Sequence, residues 1–126
     1  GRMTHRNPNM AQVPNINSCL INKYRNGNDS IKRHSDNQSH FGENPTILGL
    51  SFGESRTISF ERRMYDPMNP KIIKKDKNKK DNFNLKLEGN SMFIMAGSSQ
   101  KYFTHEVKKE INKTNTRYNM TFREHH

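Results

Sequence analysis

The sequence predicts an all-β domain, about eight short strands closed into a sandwich or barrel, with the eight-stranded jelly roll as the leading candidate. Three observations carry that expectation. Apolar residues gather in short stretches that read as strands, several of them alternating with polar residues at period two. Turn-forming residues separate those stretches. No stretch keeps a 3.6-residue apolar period over three turns, so no long amphipathic helix is predicted.

The elements follow in order. "GRMTHRNPNMAQVPN" is polar, carries Pro8 and Pro14 and shows no period, so residues 1–16 read as a loose lead-in. From about residue 18 the strand-like pieces are "SCLINKYR", "SIKRH", "PTILGLSFG", "RTISFERR", "NFNLKLEG", "SMFIMAG", "KYFTHEV" and "TRYNMTFR", which places the domain at 17–124. "YRNGND", "GEN", "FGES" and "EGNS" supply turn chemistry between them. One segment breaks the rhythm. "MYDPMNPKIIKKDKNKKDN", residues 64–82, holds two prolines and a run of lysines and reads as a solvated loop insertion. The same lysines could also attract phosphates, and the two readings are compatible.

At 126 residues the chain is one domain. Its 22 Lys and Arg against 12 Asp and Glu leave a net charge of +10 and a pI near 10.0. Such a surplus points to a polyanionic partner, nucleic acid first, against the plainer reading of solubility charge. Only 29% of residues are apolar and there is no Trp, so any core is small and must come from the strands. The single cysteine, Cys19, excludes an intramolecular disulfide and a Cys-based zinc site, and fits a reducing compartment such as cytoplasm or nucleus. No apolar run approaches transmembrane length and no signal-peptide pattern opens the chain, so no membrane partner is expected.

"RYNMTFR", residues 117–123, alternates strictly. In a strand Arg117, Asn119, Thr121 and Arg123 share one face, and Tyr118, Met120 and Phe122 share the other. The second set is the expected core. The first is a polar face with two cations and no acid, and by itself reads as an exposed outer face. "LINKY" behaves alike: Leu20, Asn22 and Tyr24 lie opposite Cys19 and Ile21.

"KRHSDNQ" sets His34 and Asp36 two apart, so that both leave one side of an extended segment, and "YFTHEV" offers His105 on another strand. Two His and one carboxylate with open coordination positions form the facial triad of non-haem Fe(II) oxygenases. A His-x-Asp pair is also common on plain surfaces, and that alternative stays open at this point. His5, His40, His125 and His126 sit in polar or terminal stretches and are left out of the set. An iron site of this type takes a co-substrate, usually the dicarboxylate 2-oxoglutarate, and Arg binds carboxylates bidentately. Arg117 and Arg123 lie six residues apart, roughly 20 Å between Cα atoms at about 3.3 Å per residue; inward-leaning side chains leave roughly 7 Å, about one such molecule. Asn22 and Tyr24 are an amide and a phenol able to join a carboxylate network.

In order and spacing, "CLINKY", "HSD", "GNSMFIMAG", "QKYFTH" and "RYNMTFR" resemble the AlkB-like Fe(II)/2-oxoglutarate dioxygenases over residues 17–124, and "LSFGESRTISF" is similar to the strand that follows their H-x-D. The resemblance implies a double-stranded β-helix of minimal catalytic size. It implies Fe(II) on His34, Asp36 and His105, and the distal carboxylate of 2-oxoglutarate on Arg117, helped by Asn22 and Tyr24. Arg123 would sit near the carboxylate at the metal end, with a catalytic part, and Asn119 would support the site through hydrogen bonds. The implied reaction is oxidative N-demethylation of bases such as 1-methyladenine and 3-methylcytosine in single-stranded RNA or DNA. O₂ and 2-oxoglutarate are consumed, and succinate, CO₂ and formaldehyde released. These methyl groups lie on the pairing edge, so the base must be unpaired or flipped.

Many relatives carry an acid just after H-x-D that reads the base; this chain has Asn37 and Gln38. The Lys-rich insertion also departs from the pattern. A minimal Asn- and Lys-rich core is similar to the AlkB domains of plant RNA virus polyproteins, which favours RNA and a host cytoplasm. The expected state is a monomer. Two other readings compete: a basic nucleic-acid-binding module on the same fold without turnover, and a dioxygenase of this family with a different substrate.

Overall fold

A computed structural model describes residues 15–35, 45–69, 72–96 and 99–124. Among them nine strands form two sheets: β1 (Ser18–Tyr24), β2 (Ile31–His34), β3 (Ile47–Gly53), β4 (Arg56–Met64), β5 (Lys74–Lys75), β6 (Phe83–Leu87), β7 (Ser91–Met95), β8 (Phe103–Val107) and β9 (Arg117–Arg123). One short helix, α1 (Ser99–Tyr102), precedes β8. The first sheet runs β1–β9–β3–β7 and the second β2–β8–β4, with β6 and β5 pairing successive halves of β4. Every pairing is antiparallel. Consecutive strands alternate between the sheets for much of the chain, the winding of the all-β double-stranded jelly roll expected from the sequence.

The core lies between the sheets. Tyr24, Ile47 and Met95 from the first meet Ile58, Phe60, Leu87 and Val107 from the second. The second sheet is amphipathic in the usual sense. Alternation in β4 and β8 turns Ile58, Phe60, His105 and Val107 inward. On its other face Arg33 binds Ser59 Oγ at 2.9 Å, Glu106 Oε1 at 2.6 Å and the carbonyl of Thr104 at 3.1 Å.

The first sheet is built the other way. Its outer face carries rows of apolar residues in register, Ile21–Met120–Leu50–Met92 and Cys19–Phe122–Leu48–Ile94. Ile21 and Met92 are 59% and 63% exposed. Tyr118, Met120 and Phe122, expected as core, therefore lie on the outside, and the polar face of β9 lines the interior. Period two groups residues by face but does not say which face is covered.

Two further expectations are corrected. The 64–82 segment is not wholly loop: β5 pairs Lys75 with Arg63 and Lys74 with Met64, and a 3₁₀ turn spans Lys79–Asp81. In "KYFTHEV" the residues Lys101 and Tyr102 belong to α1, and the strand starts at Phe103. The buried Arg63 guanidinium donates to the carbonyls of Gln100 and Lys101 at 2.7 and 2.8 Å, a tertiary contact on this helix. Most of the predicted lead-in, residues 1–14, lies outside the described residues. So do the predicted "GEN" turn and Asp36.

The turn after β1 docks on the 108–113 segment: Gly27 N–H donates to the Lys113 carbonyl at 2.8 Å, and Glu110 N–H to the Gly27 carbonyl at 2.9 Å. A Cβ at residue 27 would fall on the Glu110 carbonyl, so this approach requires glycine. Arg56, buried at the start of β4, closes the same end through the carbonyls of Asp29 at 2.9 Å and Lys108 at 2.6 Å. Among the described residues no helix is long and apolar enough to cross a membrane.

Candidate active site

Between the sheets lies a cavity of about 340 Å³, at the small end of the ~300–1,000 Å³ typical of small-molecule sites. The first sheet contributes its polar face: Asn22 and Tyr24 from β1, Arg117, Asn119 and Arg123 from β9. The second contributes His34 and His105 among apolar neighbours such as Ile58 and Val107. Seven of the eight residues singled out from the sequence thus line one cavity. The eighth, Asp36, falls outside the described residues.

Strand register explains the grouping. Tyr24 pairs with Arg117 and Asn22 with Asn119 across β1 and β9. Side chains at paired positions stand on the same face, so two alternating strings become one polar wall. His34 and His105 are likewise partners across β2 and β8, with ring centroids 4.4 Å apart. Nδ1 of His34 lies 2.7 Å from the Lys32 carbonyl. A carbonyl only accepts, so Nδ1 carries the proton and Nε2 keeps the lone pair a metal would use. Among the described residues no group of three His, Cys, Asp or Glu is placed to hold a metal. The two imidazoles fit two positions of a three-ligand site, and Asp36 follows His34 by two residues.

Arg117 is the unusual member. It is 2% exposed. Its Nη2 donates to Ser51 Oγ at 2.8 Å and its Nη1 to the Leu87 carbonyl at 3.4 Å. Its buried Nε has no hydrogen-bond partner among the described residues, and no carboxylate there forms an ion pair with it. Burial lowers its pKa, partly offset by Tyr24. A buried guanidinium with no paired carboxylate is costly in a core, and an anionic ligand would satisfy it. The Tyr24 ring lies between two guanidiniums, Arg56 at 5.3 Å and Arg117 at 5.6 Å from its centroid. Burial raises the Tyr24 phenol against the pull of both arginines, so it stays protonated and can donate to a carboxylate.

Two residues escaped the sequence reading. Ser51, 2% exposed, orients Arg117; the alternation Ile47–Gly49–Ser51 already set it facing inward. Arg56 begins "RTISF" on the face of Ile58 and Phe60, and a cation on an apolar face was the available signal.

A family model described as the 2OG-Fe(II) oxygenase superfamily matches residues 3–123. Human alpha-ketoglutarate-dependent dioxygenase alkB homolog 3 is 37% identical over 108 residues, 86% of this chain and 36% of the human protein. The DNA oxidative demethylase ALKBH2 of Arabidopsis thaliana is 28% identical over 117 residues, 86% of this chain and 37% of that protein. The RNA replication polyprotein of citrus leaf blotch virus is 28% identical over 116 residues, 91% of this chain and 5% of the polyprotein. The chain spans about a third of the length of the human and plant relatives. On the family match across nearly its whole length, joined to the jelly-roll fold, the chain belongs to the 2OG-Fe(II) oxygenase superfamily as an AlkB-like member, a family whose chemistry uses Fe(II), 2-oxoglutarate and O₂.

Proposed function

We propose that this protein is an oxidative N-demethylase of single-stranded nucleic acid, RNA ahead of DNA, with residues 17–124 as its catalytic core and 64–82 as a basic insertion. The observation that carries this reading is Arg117, a buried guanidinium with no carboxylate partner among the described residues, in a cavity that also presents a histidine pair. His34, Asp36 and His105 would hold Fe(II). Iron bound there, with O₂ and 2-oxoglutarate, supplies the oxidising equivalents that hydroxylate an N-methyl group. That group then leaves as formaldehyde, with succinate and CO₂ as co-products.

The chain's own residues bind and orient. Arg117, set by Ser51, grips the far carboxylate of 2-oxoglutarate with its planar fork. The Tyr24 phenol and the Asn22 amide donate to the same carboxylate, and Asn119, opposite Asn22, holds that amide in place. Arg123 faces the carboxylate at the metal end. Ile58 and Val107 exclude water from the reacting centre.

The net charge of +10 supports a polyanionic substrate, and one relative is named a DNA oxidative demethylase. Similarity to an RNA replication polyprotein supports the preference for RNA. The substrate bases would be of the 1-methyladenine and 3-methylcytosine type. We place the enzyme as a monomer in a reducing compartment, cytoplasm or nucleus, in keeping with its one cysteine.

The test is anaerobic loading with Fe(II) and 2-oxoglutarate, admission of O₂, and mass spectrometry of methylated RNA and DNA oligonucleotides. Loss of the methyl group and formation of formaldehyde are expected, faster on RNA. His34→Ala should abolish both while leaving the fold intact. Succinate without demethylation of either strand would sink the nucleic-acid reading. Full turnover in His34→Ala would sink the metal assignment.

A further inference from the structure

A chain of aromatic rings and cations leads from the cavity to the surface. His105 lies 5.9 Å from Phe60, and Phe60 stacks on Phe83 at 4.8 Å and 17°. Phe83 meets the edge of Phe103 at 5.8 Å. The Arg62 guanidinium covers both Phe103, at 5.9 Å, and Tyr102, at 5.4 Å. Tyr102 then meets Tyr65 at 6.3 Å, where Arg63 and Lys101 lie over the ring at 5.6 and 5.8 Å. Two of these rings open to solvent, Phe83 at 48% and Tyr102 at 39%.

The charge around this line is uneven. Residues 62–82 hold eight Lys and Arg against three Asp, a net +5 of the chain's +10 in a sixth of its length. Strand β5 fixes part of that charge beside the rings by pairing Lys74 and Lys75 with Met64 and Arg63. Lys77, Lys79 and Lys80 follow, all exposed. A core cluster needs neither solvent-exposed rings nor a cationic border. A single nucleic-acid strand needs both, since phosphates pair with lysines and bases stack on aromatic faces.

We propose that the outer edge of the second sheet, from Phe83 through Arg62 and Tyr102 to Tyr65, is a stacking track for a single strand of nucleic acid. The β5 lysines hold its phosphates, and the exposed rings stack its bases. This rests on the nucleic-acid reading above and adds to it where, and by what contacts, the strand is held. A duplex hides its base faces, so the track discriminates against it.

The experiment measures binding of an unmethylated eight-nucleotide RNA by fluorescence anisotropy across a salt series, with 2-oxoglutarate affinity as an independent readout. Tyr102→Leu and Phe83→Leu should each weaken binding about tenfold, the stacking contribution of one base. Tyr102→Phe, which keeps the ring, should bind as wild type. Changing Lys74, Lys75, Lys79 and Lys80 to Gln should lower the log–log salt slope by about two to three. The duplex form should bind more weakly than the single strand. None of these variants should alter 2-oxoglutarate affinity. If both leucine variants bind the RNA within twofold of wild type, the track is overturned while the demethylase reading stands. If the wild-type protein takes 2-oxoglutarate but no oligonucleotide, the nucleic-acid reading fails with it.

Discussion

The two sheets of this jelly roll use their faces in opposite ways. The second turns Ile58, Phe60, Leu87 and Val107 inward and leaves Arg33, Glu61 and Glu106 outside, joined as ion pairs. The first turns Asn22, Ser51, Arg117, Asn119 and Arg123 toward the interior and leaves Ile21, Leu50, Met92 and Met120 outside. One sheet therefore supplies most of the cohesion between the layers, and the other gives up part of its core to a polar wall. Burial of a guanidinium with no paired carboxylate opposes folding, and the residues that cost stability are those proposed to bind 2-oxoglutarate.

Phe60, 4% exposed and packed on Phe83, Phe93 and His105, belongs to the cohesive sheet. Phe60→Ala should cost about 3–5 kcal/mol in urea unfolding. A cost below about 1 kcal/mol would mean that the second sheet does not carry the core.

Arg117→Met tests the opposite sheet. It should abolish measurable 2-oxoglutarate binding in calorimetry. In the same variant the ligand-free protein should melt at or above the wild-type temperature, because a buried charge is replaced by an apolar chain of similar length. A destabilised variant with intact binding would reverse the roles assigned to the two faces.

The two arginines of β9 line one wall but are not equivalent. Arg117→Lys keeps the charge but loses the fork, so the apparent KM for 2-oxoglutarate should rise with kcat less affected. Arg123→Lys should lower kcat and uncouple succinate formation from demethylation, as expected from the place proposed for this side chain at the metal end of the cavity. Identical kinetic signatures for the two variants would remove the distinction.

The smallest effect belongs to the outer face of the first sheet. Ile21→Thr and Met92→Thr should each change stability by less than about 0.5 kcal/mol in this chain, since both side chains already stand largely in solvent. A loss comparable to that of Phe60→Ala would show that this face is covered.

Much of the cavity was legible in short strings. "LINKY" and "RYNMTFR" each set their polar members on one face, and His34 and His105 stood out as histidines on separate predicted strands. Neither string could show that Tyr24 would meet Arg117, or Asn22 meet Asn119, because register is a property of the pair. Ser51 was visible in the alternation of its strand but had no signal of its own until Arg117 bound it. The helix at Ser99–Tyr102 had no local signal, and in the fold Arg63, far away in sequence, binds its carbonyls.

Eight of the nine described strands, the concentration of charge at 62–82 and the sets of residues that share a face could be read from the sequence alone. All of these are local, since side-chain alternation follows from backbone pleat within one strand. Which face is covered was set by packing between the sheets. The two faces of an isolated strand differ in polarity but not in geometry, and either can be enclosed once a second sheet packs against it. Here the polar face of β9 was enclosed, and Tyr118, Met120 and Phe122 were left on the outside.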